Sequence, residues 1–305
     1  MDGIIIVDKP ADMTSAKVVA AVKRILGVRK IGHTGTLDPF ATGVLVCCVG
    51  QATRLARFFL HGTKRYEALL HLGVETDTQD HTGEVVAEIP CPELDRNQVT
   101  ETFEAFLGET EQAPPVYSAL KHQGTPLYKL ARRGEPVQKP PRKITVHELN
   151  IREVTPPEIR FETVCSGGTY VRTLCADIGA KLGCGGHLAE LRRTENSGFS
   201  VEEAHTLDEL ADLSGQGRAG EVVVSMNEAL RHMPEYSAGP DLLGKISHGR
   251  QLAWRDLGHQ GARATADQRP GNLKVVDADG NLAAVLEPAP DGLGLEYCCV
   301  FNTRG

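Results

Sequence analysis

Strand-like and helix-like stretches alternate along the first two-thirds of this chain without a regular βαβ rhythm, and that irregularity is its strongest constraint on fold. Gly3 to Val7 reads as a short strand. A helix is predicted from Ser15 to Leu26, because Val18, Val19, Val22, Ile25 and Leu26 recur on one stripe and Gly27 stops it. A glycine-bearing loop, a buried strand at 44–49, a short helix through Arg54 and Arg57 and a strand-like run from Tyr66 to Val74 follow. Further alternating runs span 144–152 and 159–165, and a second helix is expected from Tyr170 to Leu182. The pattern predicts α+β architecture with a mixed, largely antiparallel sheet rather than a doubly wound parallel one.

A chain of 305 residues can bury one large core, or one core with a small appended domain. Glycines and prolines cluster at 214–220 and 234–244, and beyond them Val275 to Leu282 reads as short strands joined by turns. Two domains are therefore expected, at 1–233 and 234–305. No apolar run approaches membrane-spanning length and Met1-Asp2 leads straight into a strand, so a soluble, intracellular protein is expected. The eight cysteines contain no C-x-x-C pair and sit in strand-like stretches such as Val44 to Val49; reduced, mostly buried side chains are expected, and no structural zinc.

The net charge of -7 is unevenly placed: residues 1–200 hold 24 basic and 24 acidic side chains, and residues 201–305 hold 9 and 16. Within the first part the signs separate again. Glu67 to Glu111 carries twelve acids and only Arg96, whereas Lys121 to Lys143 carries seven bases and only Glu135. Between Met13 and Tyr66 lie nine bases and a single acid, Asp38, in the run Gly32 to Pro39. If half of those bases shared a face they could gather phosphates, and a lone anion among them would favour its ionised form. The plain alternative is a solvated basic helix face, with Asp38 capping a turn before Pro39.

Familiar catalytic motifs are missing. The run Gly32-His33-Thr34-Gly35-Thr36 lacks the lysine and spacing of a P-loop, and neither G-x-S-x-G nor H-E-x-x-H occurs. What remains is the aspartate loop, its basic flanks, and Tyr66, Tyr117, Tyr128 and Tyr170 close in sequence to Lys64, Arg65, Lys121, Lys129 and Arg172. Aromatic faces beside cations suit unstacked bases.

Six segments carry a resemblance: Gly3 to Pro10 (GIIIVDKP), Gly32 to Gly43 (GHTGTLDPFATG), Lys64-Arg65-Tyr66, Tyr117 to Lys121 (YSALK), Gly168 to Thr173 (GTYVRT) and Leu182 to Arg193 (LGCGGHLAELRR). Their order and spacing resemble those of the bacterial tRNA pseudouridine-55 synthases, the TruB family, over residues 1–200. Beyond 200 only Gly249 to Leu252 and Val275 to Leu286 are similar to the small PUA-type RNA-binding domain of bacterial members. Phe40, where leucine is common, and Cys47-Cys48 depart from the usual pattern in apolar ways that a core absorbs.

The resemblance implies isomerisation of a T-loop uridine in tRNA: the base is cut from its sugar, turned and rejoined through carbon, with no cofactor and no metal. It implies Asp38 as the nucleophile, attacking either the uracil ring or the sugar, with Arg172 paired to it. Tyr66 would stack on the target base, its hydroxyl near carbon 5, and Leu191 would line the apolar side. His33 would fill space near everted nucleotides, and Lys64 and Tyr170 belong to the substrate-binding set. Lys9 would support the catalytic loop. A thumb-like insertion at about 115–143 would offer Lys121, Lys129, Arg132, Arg133, Arg142 and Lys143 to phosphates. The expected partner is the tRNA T-arm, without a membrane, and the expected state is a cytoplasmic monomer. Two other readings compete: the same chemistry on another RNA, which predicts an H-R-L-D-type aspartate run and no thumb, and a non-catalytic RNA-binding or RNA-folding module.

Overall fold

The structure is a computed structural model that describes residues 1–257, 271–292 and 294–301. Its main sheet has nine strands: β1 (Gly3–Lys9), β2 (Ile31–His33), β3 (Thr42–Val49), β4 (Lys64–Leu72), β5 (Gly108–Gln112), β6 (Arg142–Thr155), β7 (Glu158–Cys165), β8 (Gly186–Asn196) and β9 (Phe199–Ser200). The order is β1-β3-β8-β4-β7-β6-β5, with β2 on β3 and β9 on β8. β3 and β8 run parallel and the other pairs antiparallel, giving the mixed α+β sheet expected.

β1 and β3 are apolar on both faces because both are covered. Ile5, Val7, Leu45 and Cys47 pack on Val18 and Val22 of α1 (Ser15–Ile25). On the other face Ile4, Ile6, Val44 and Val46 pack with Leu55, Phe59 and the C-terminal unit. Thr14 caps α1, its Oγ1 accepting from the Lys17 N–H at 3.2 Å, which is worth about 1 kcal/mol. α2 (Val171–Leu182) lays Leu174, Cys175 and Ile178 on the core of β4, β7 and β8, and stops at Gly183, whose φ is +88°.

A second, five-stranded sheet follows: β10 (Glu235–Ser237), β11 (Leu252–Ala253), β12 (Leu273–Val276), β13 (Leu282–Pro288) and β14 (Gly294–Val300), in the order β10-β12-β13-β14-β11. Val276, Leu282, Val285 and Phe301 share one apolar cluster with Ile4 and Val46, so the two sheets are packed together. No helix among the described residues is long and apolar enough to cross a membrane. All eight cysteines are free, six buried and two half-buried.

The nine bases before Tyr66 do not form one face. Arg54 donates to the Val300 carbonyl and lies over the Phe301 ring, and Arg57 faces Glu287, so both serve the junction with the second sheet. Arg65 pairs with Glu148 at 3.1 Å and Lys64 is buried, while Lys17, Lys23 and Arg24 sit on the exposed side of α1.

Candidate active site

β2 ends at His33 and β3 begins at Thr42, which leaves 34–41 as the loop that carries Asp38. The loop is fastened from several sides. Buried Ser15 accepts from the Leu37 N–H at 2.9 Å and donates back to the Leu37 carbonyl at 3.1 Å. Lys9 Nζ, wholly buried, donates to Pro39 O at 2.9 Å and Pro10 O at 2.8 Å. Arg193 Nη2 donates to Gly35 O at 3.1 Å, and Thr34 N to Val46 O at 3.0 Å. At Gly43, φ is +99° and a Cβ would stand 2.1 Å from the Arg193 carbonyl oxygen, so β3 and β8 approach there only because the residue is glycine.

Arg172, on the first turn of α2, faces this loop. Its Nε lies 2.9 Å from Asp38 Oδ2, an ion contact outside hydrogen-bond alignment, and its Nη2 donates to Oδ1 at 3.3 Å. The same guanidinium reaches Asp80 Oδ2 at 3.4 Å, Thr78 O at 2.8 Å and Tyr117 O at 3.0 Å. Arg172 therefore ties the Asp38 loop to the 77–83 loop and to the root of the insertion. Asp80 is held by Thr78 Oγ1 at 2.8 Å and Thr82 Oγ1 at 2.6 Å.

Beside the pair opens a cavity of about 310 Å³, with Asp38, Lys64, Tyr66, Tyr170, Leu191 and Arg193 in its walls. Tyr66 and Leu191 are buried, and Asp38 keeps 31 % of its side chain open. Gln112 pairs with both sides of the Tyr170 backbone, at 2.8 and 3.0 Å, and Arg142 stacks over the Tyr170 ring at 5.2 Å. This is an open, partly apolar pocket with one accessible carboxylate at its edge, suited to a planar ring and a covalent attack.

Burial pushes the Asp38 carboxyl above its ordinary range; Arg172 and Lys9 pull it down, while Asp80 adds to the rise. The sequence led to the opposite expectation, because counting neighbouring bases leaves out desolvation and a second acid more than forty residues away in the chain. Burial likewise lowers Lys9 to about 8, against the pull of Asp38 and Asp12, and lowers Lys64 to about 8 with Arg193 adding to the drop. Lys64 Nζ is held by Leu60 O at 3.1 Å and Gly62 O at 2.6 Å.

The other residues singled out in the sequence fall around the rim or beyond it. His33 lies on β2 opposite Cys47, its ring lowered in pKa by burial and by Arg193, and its buried Nδ1 lacks a hydrogen-bond partner among the described residues. Lys121, Lys129, Arg132 and Arg133 are exposed on the insertion, with Arg132 over the Tyr128 ring at 5.8 Å. Lys143 instead makes an exposed pair with Glu109 at 2.8 Å.

Two site residues escaped the sequence reading. Asp80 sits in an acidic stretch where nothing marks one acid from the next. Arg193 lies inside the quoted LGCGGHLAELRR run, and strand alternation from Leu191 would have put Arg193 rather than Arg192 on the cavity side.

Known proteins share this fold. The solved structure described as "Crystal Structure of a Cbf5-Nop10-Gar1 Complex" matches with a TM-score of 0.75 at 26% identity, over 99% of this chain and 85% of that one. Residues 23–171 match the family described as TruB family pseudouridylate synthase (N terminal domain), and 172–233 match the tRNA pseudouridylate synthase B C-terminal domain. A tRNA pseudouridine synthase B of Geobacter sulfurreducens is 47% identical over 99% of this chain and 100% of its own length. Another, from Syntrophotalea carbinolica, is 48% identical over 82% of this chain and 81% of its own. The chain belongs to the TruB family of pseudouridylate synthases.

Proposed function

We propose that this enzyme converts uridine to pseudouridine at position 55 in the T-loop of tRNA, by covalent catalysis from Asp38. The observation that carries this is one accessible carboxylate, gripped by a buried arginine at 2.9 Å, at the edge of a cavity walled by Tyr66 and Leu191. A base paired in a duplex cannot reach that carboxylate, so the target nucleotide is flipped out. Tyr66 stacks on it, Leu191 closes the apolar side, and Asp38 attacks the ring or the sugar, holds the intermediate and leaves again. Arg172 aims Asp38 and favours its ionised form. The Tyr66 hydroxyl takes the proton from carbon 5 once the base is rejoined through that carbon.

In this reading the exposed cations of the 115–143 insertion meet T-arm phosphates, residues 1–233 form the catalytic domain, and the unit from 234 is a PUA-like RNA-binding domain. The enzyme works as a cytoplasmic monomer. The decisive test is tritium release from an unmodified tRNA transcript labelled at carbon 5 of uridine. Wild type releases tritium and Asp38→Asn does not, while binding the same tRNA within a few fold. Equal loss of binding and release would remove Asp38 as nucleophile, and tight binding with no release by wild type would favour a folding module.

A further inference from the structure

Arg193 stands outside the roles just assigned. Its neighbour Arg192 is half-exposed and pairs conventionally with Asp8, at 3.1 and 2.8 Å. Arg193 is 1 % exposed, and its Nε and Nη2 donate to carbonyl oxygens, Val44 O at 2.7 Å and Gly35 O at 3.1 Å. Carbonyls satisfy its protons but do not neutralise its charge, and a buried charge left un-neutralised is costly. The strand register sets Arg193 directly opposite Tyr66, so the two side chains leave the sheet on the same face and enter the same cavity.

We propose that Arg193 is a positioning residue for Tyr66: its guanidinium, fixed across the sheet from the tyrosine, holds the phenol oxygen and stabilises it as the phenolate that accepts the carbon 5 proton. This rests on the base role proposed for Tyr66 above. In the step, the carbon 5–hydrogen bond breaks and an oxygen–hydrogen bond forms on Tyr66. The freed electron pair forms the double bond between carbons 5 and 6; the pair it displaces leaves carbon 6 with the Asp38 carboxylate after ring attack, or returns to N1 after sugar attack, and N1, released from the sugar, takes a proton from water. Tyr66, now neutral, gives its proton to water as product leaves, and Arg193 stabilises the phenolate again.

The groups facing Tyr66 are Arg193 from β8, Cys165 from β7 and Asp38 from the catalytic loop, with Lys64 two residues before it on β4. Burial pushes the Tyr66 hydroxyl up, and Arg193 is the neighbour that draws it down. Burial lowers Lys64 and His33 and the same positive field adds to both drops, so one guanidinium biases three groups toward less positive charge.

The test is the rate of tritium release as a function of pH for wild type, Arg193→Gln, Arg193→Lys and Tyr66→Phe, with tRNA KM measured alongside. Arg193→Gln loses about tenfold in kcat at neutral pH, the effect of moving the phenolate by one pH unit, and recovers toward wild type as pH rises, with KM unchanged. Arg193→Lys, which keeps the charge, shifts the profile less in the same direction, and it carries the test if the glutamine variant fails to fold. A loss that is equal at every pH, or an unchanged rate, would overturn the inference. If Tyr66→Phe keeps wild-type kcat, the base role of Tyr66 fails first. If Tyr66→Phe is inactive while the arginine variants keep the wild-type pH profile, this inference alone fails.

Discussion

The Asp38 loop and the 115–143 insertion handle charge in opposite ways. Around the loop, Lys9, Arg172 and Arg193 are buried and tied to named oxygens, so each cation has one geometry. On the insertion, Lys121, Lys129, Arg132 and Arg133 stand in solvent. A buried charge is strongly felt by its neighbours because little water screens it, whereas an exposed one contributes a small, salt-dependent increment. On the function proposed here, the loop would direct chemistry at one point and the insertion would attract a polyanion over an area.

The sharpest way to break that contrast is at the buried end. Asp38→Asn lowers the rate of isomerisation by at least about a thousandfold and leaves tRNA affinity within a few fold; single-turnover kinetics with parallel filter binding checks both. Arg172→Lys keeps a charge but loses the fork that spans Asp38, Asp80 and two carbonyls, and lowers kcat by roughly a hundredfold. Arg172→Met leaves Asp38 and Asp80 facing each other without the guanidinium between them, and costs about 3 kcal/mol in urea unfolding. A loss below about 1 kcal/mol would show that the site is more hydrated than its burial implies.

Titration sharpens the same contrast. Because the folded Asp38 carboxyl is raised, and the ionised form is the attacking one in the proposed mechanism, kcat falls on acidification through a pH above the ordinary 3.8. A limb at or below 3.8 would contradict this. Lys9 is lowered from 10.5 to about 8, so its charged form is disfavoured in the fold. That cost to stability is fully present below pH 8 and disappears as pH rises toward 10.5. Wild type accordingly gains stability relative to Lys9→Met across that window, and an unchanged difference in denaturant midpoint would place Lys9 in water. The smallest effect belongs to the insertion: Lys129→Ala with Arg132→Ala flattens the salt dependence of tRNA binding by about one to two in slope, leaving kcat unaltered.

Much of this division was legible in the sequence where a residue's environment is set by its neighbours in the chain. α1 and its stop at Gly27, the buried strand through Val44 to Val49 and the loop around Asp38 all follow from local spacing. β8 did not stand out, although it is the strand that joins β3 to β4. Its inward positions include His187, Arg193 and Asn196, polar side chains that bond to carbonyls more than a hundred residues away in the chain, so hydrophobic alternation is blind to it. Helix Arg96–Glu104 was hidden in the same way, in an acidic stretch whose Asp95–Gln98 capping box went unread. The raised Asp38 carboxyl depends on Asp80 and on depth of burial, which only the folded chain defines.

The most direct test of the central claim is to map the product. A tRNA transcript incubated with wild type or Asp38→Asn is treated with a carbodiimide that marks pseudouridine, then copied by reverse transcriptase. One new stop is expected, adjacent to the T-loop uridine at position 55, with wild type alone. A stop at another uridine, or the same stop with Asp38→Asn, would contradict it.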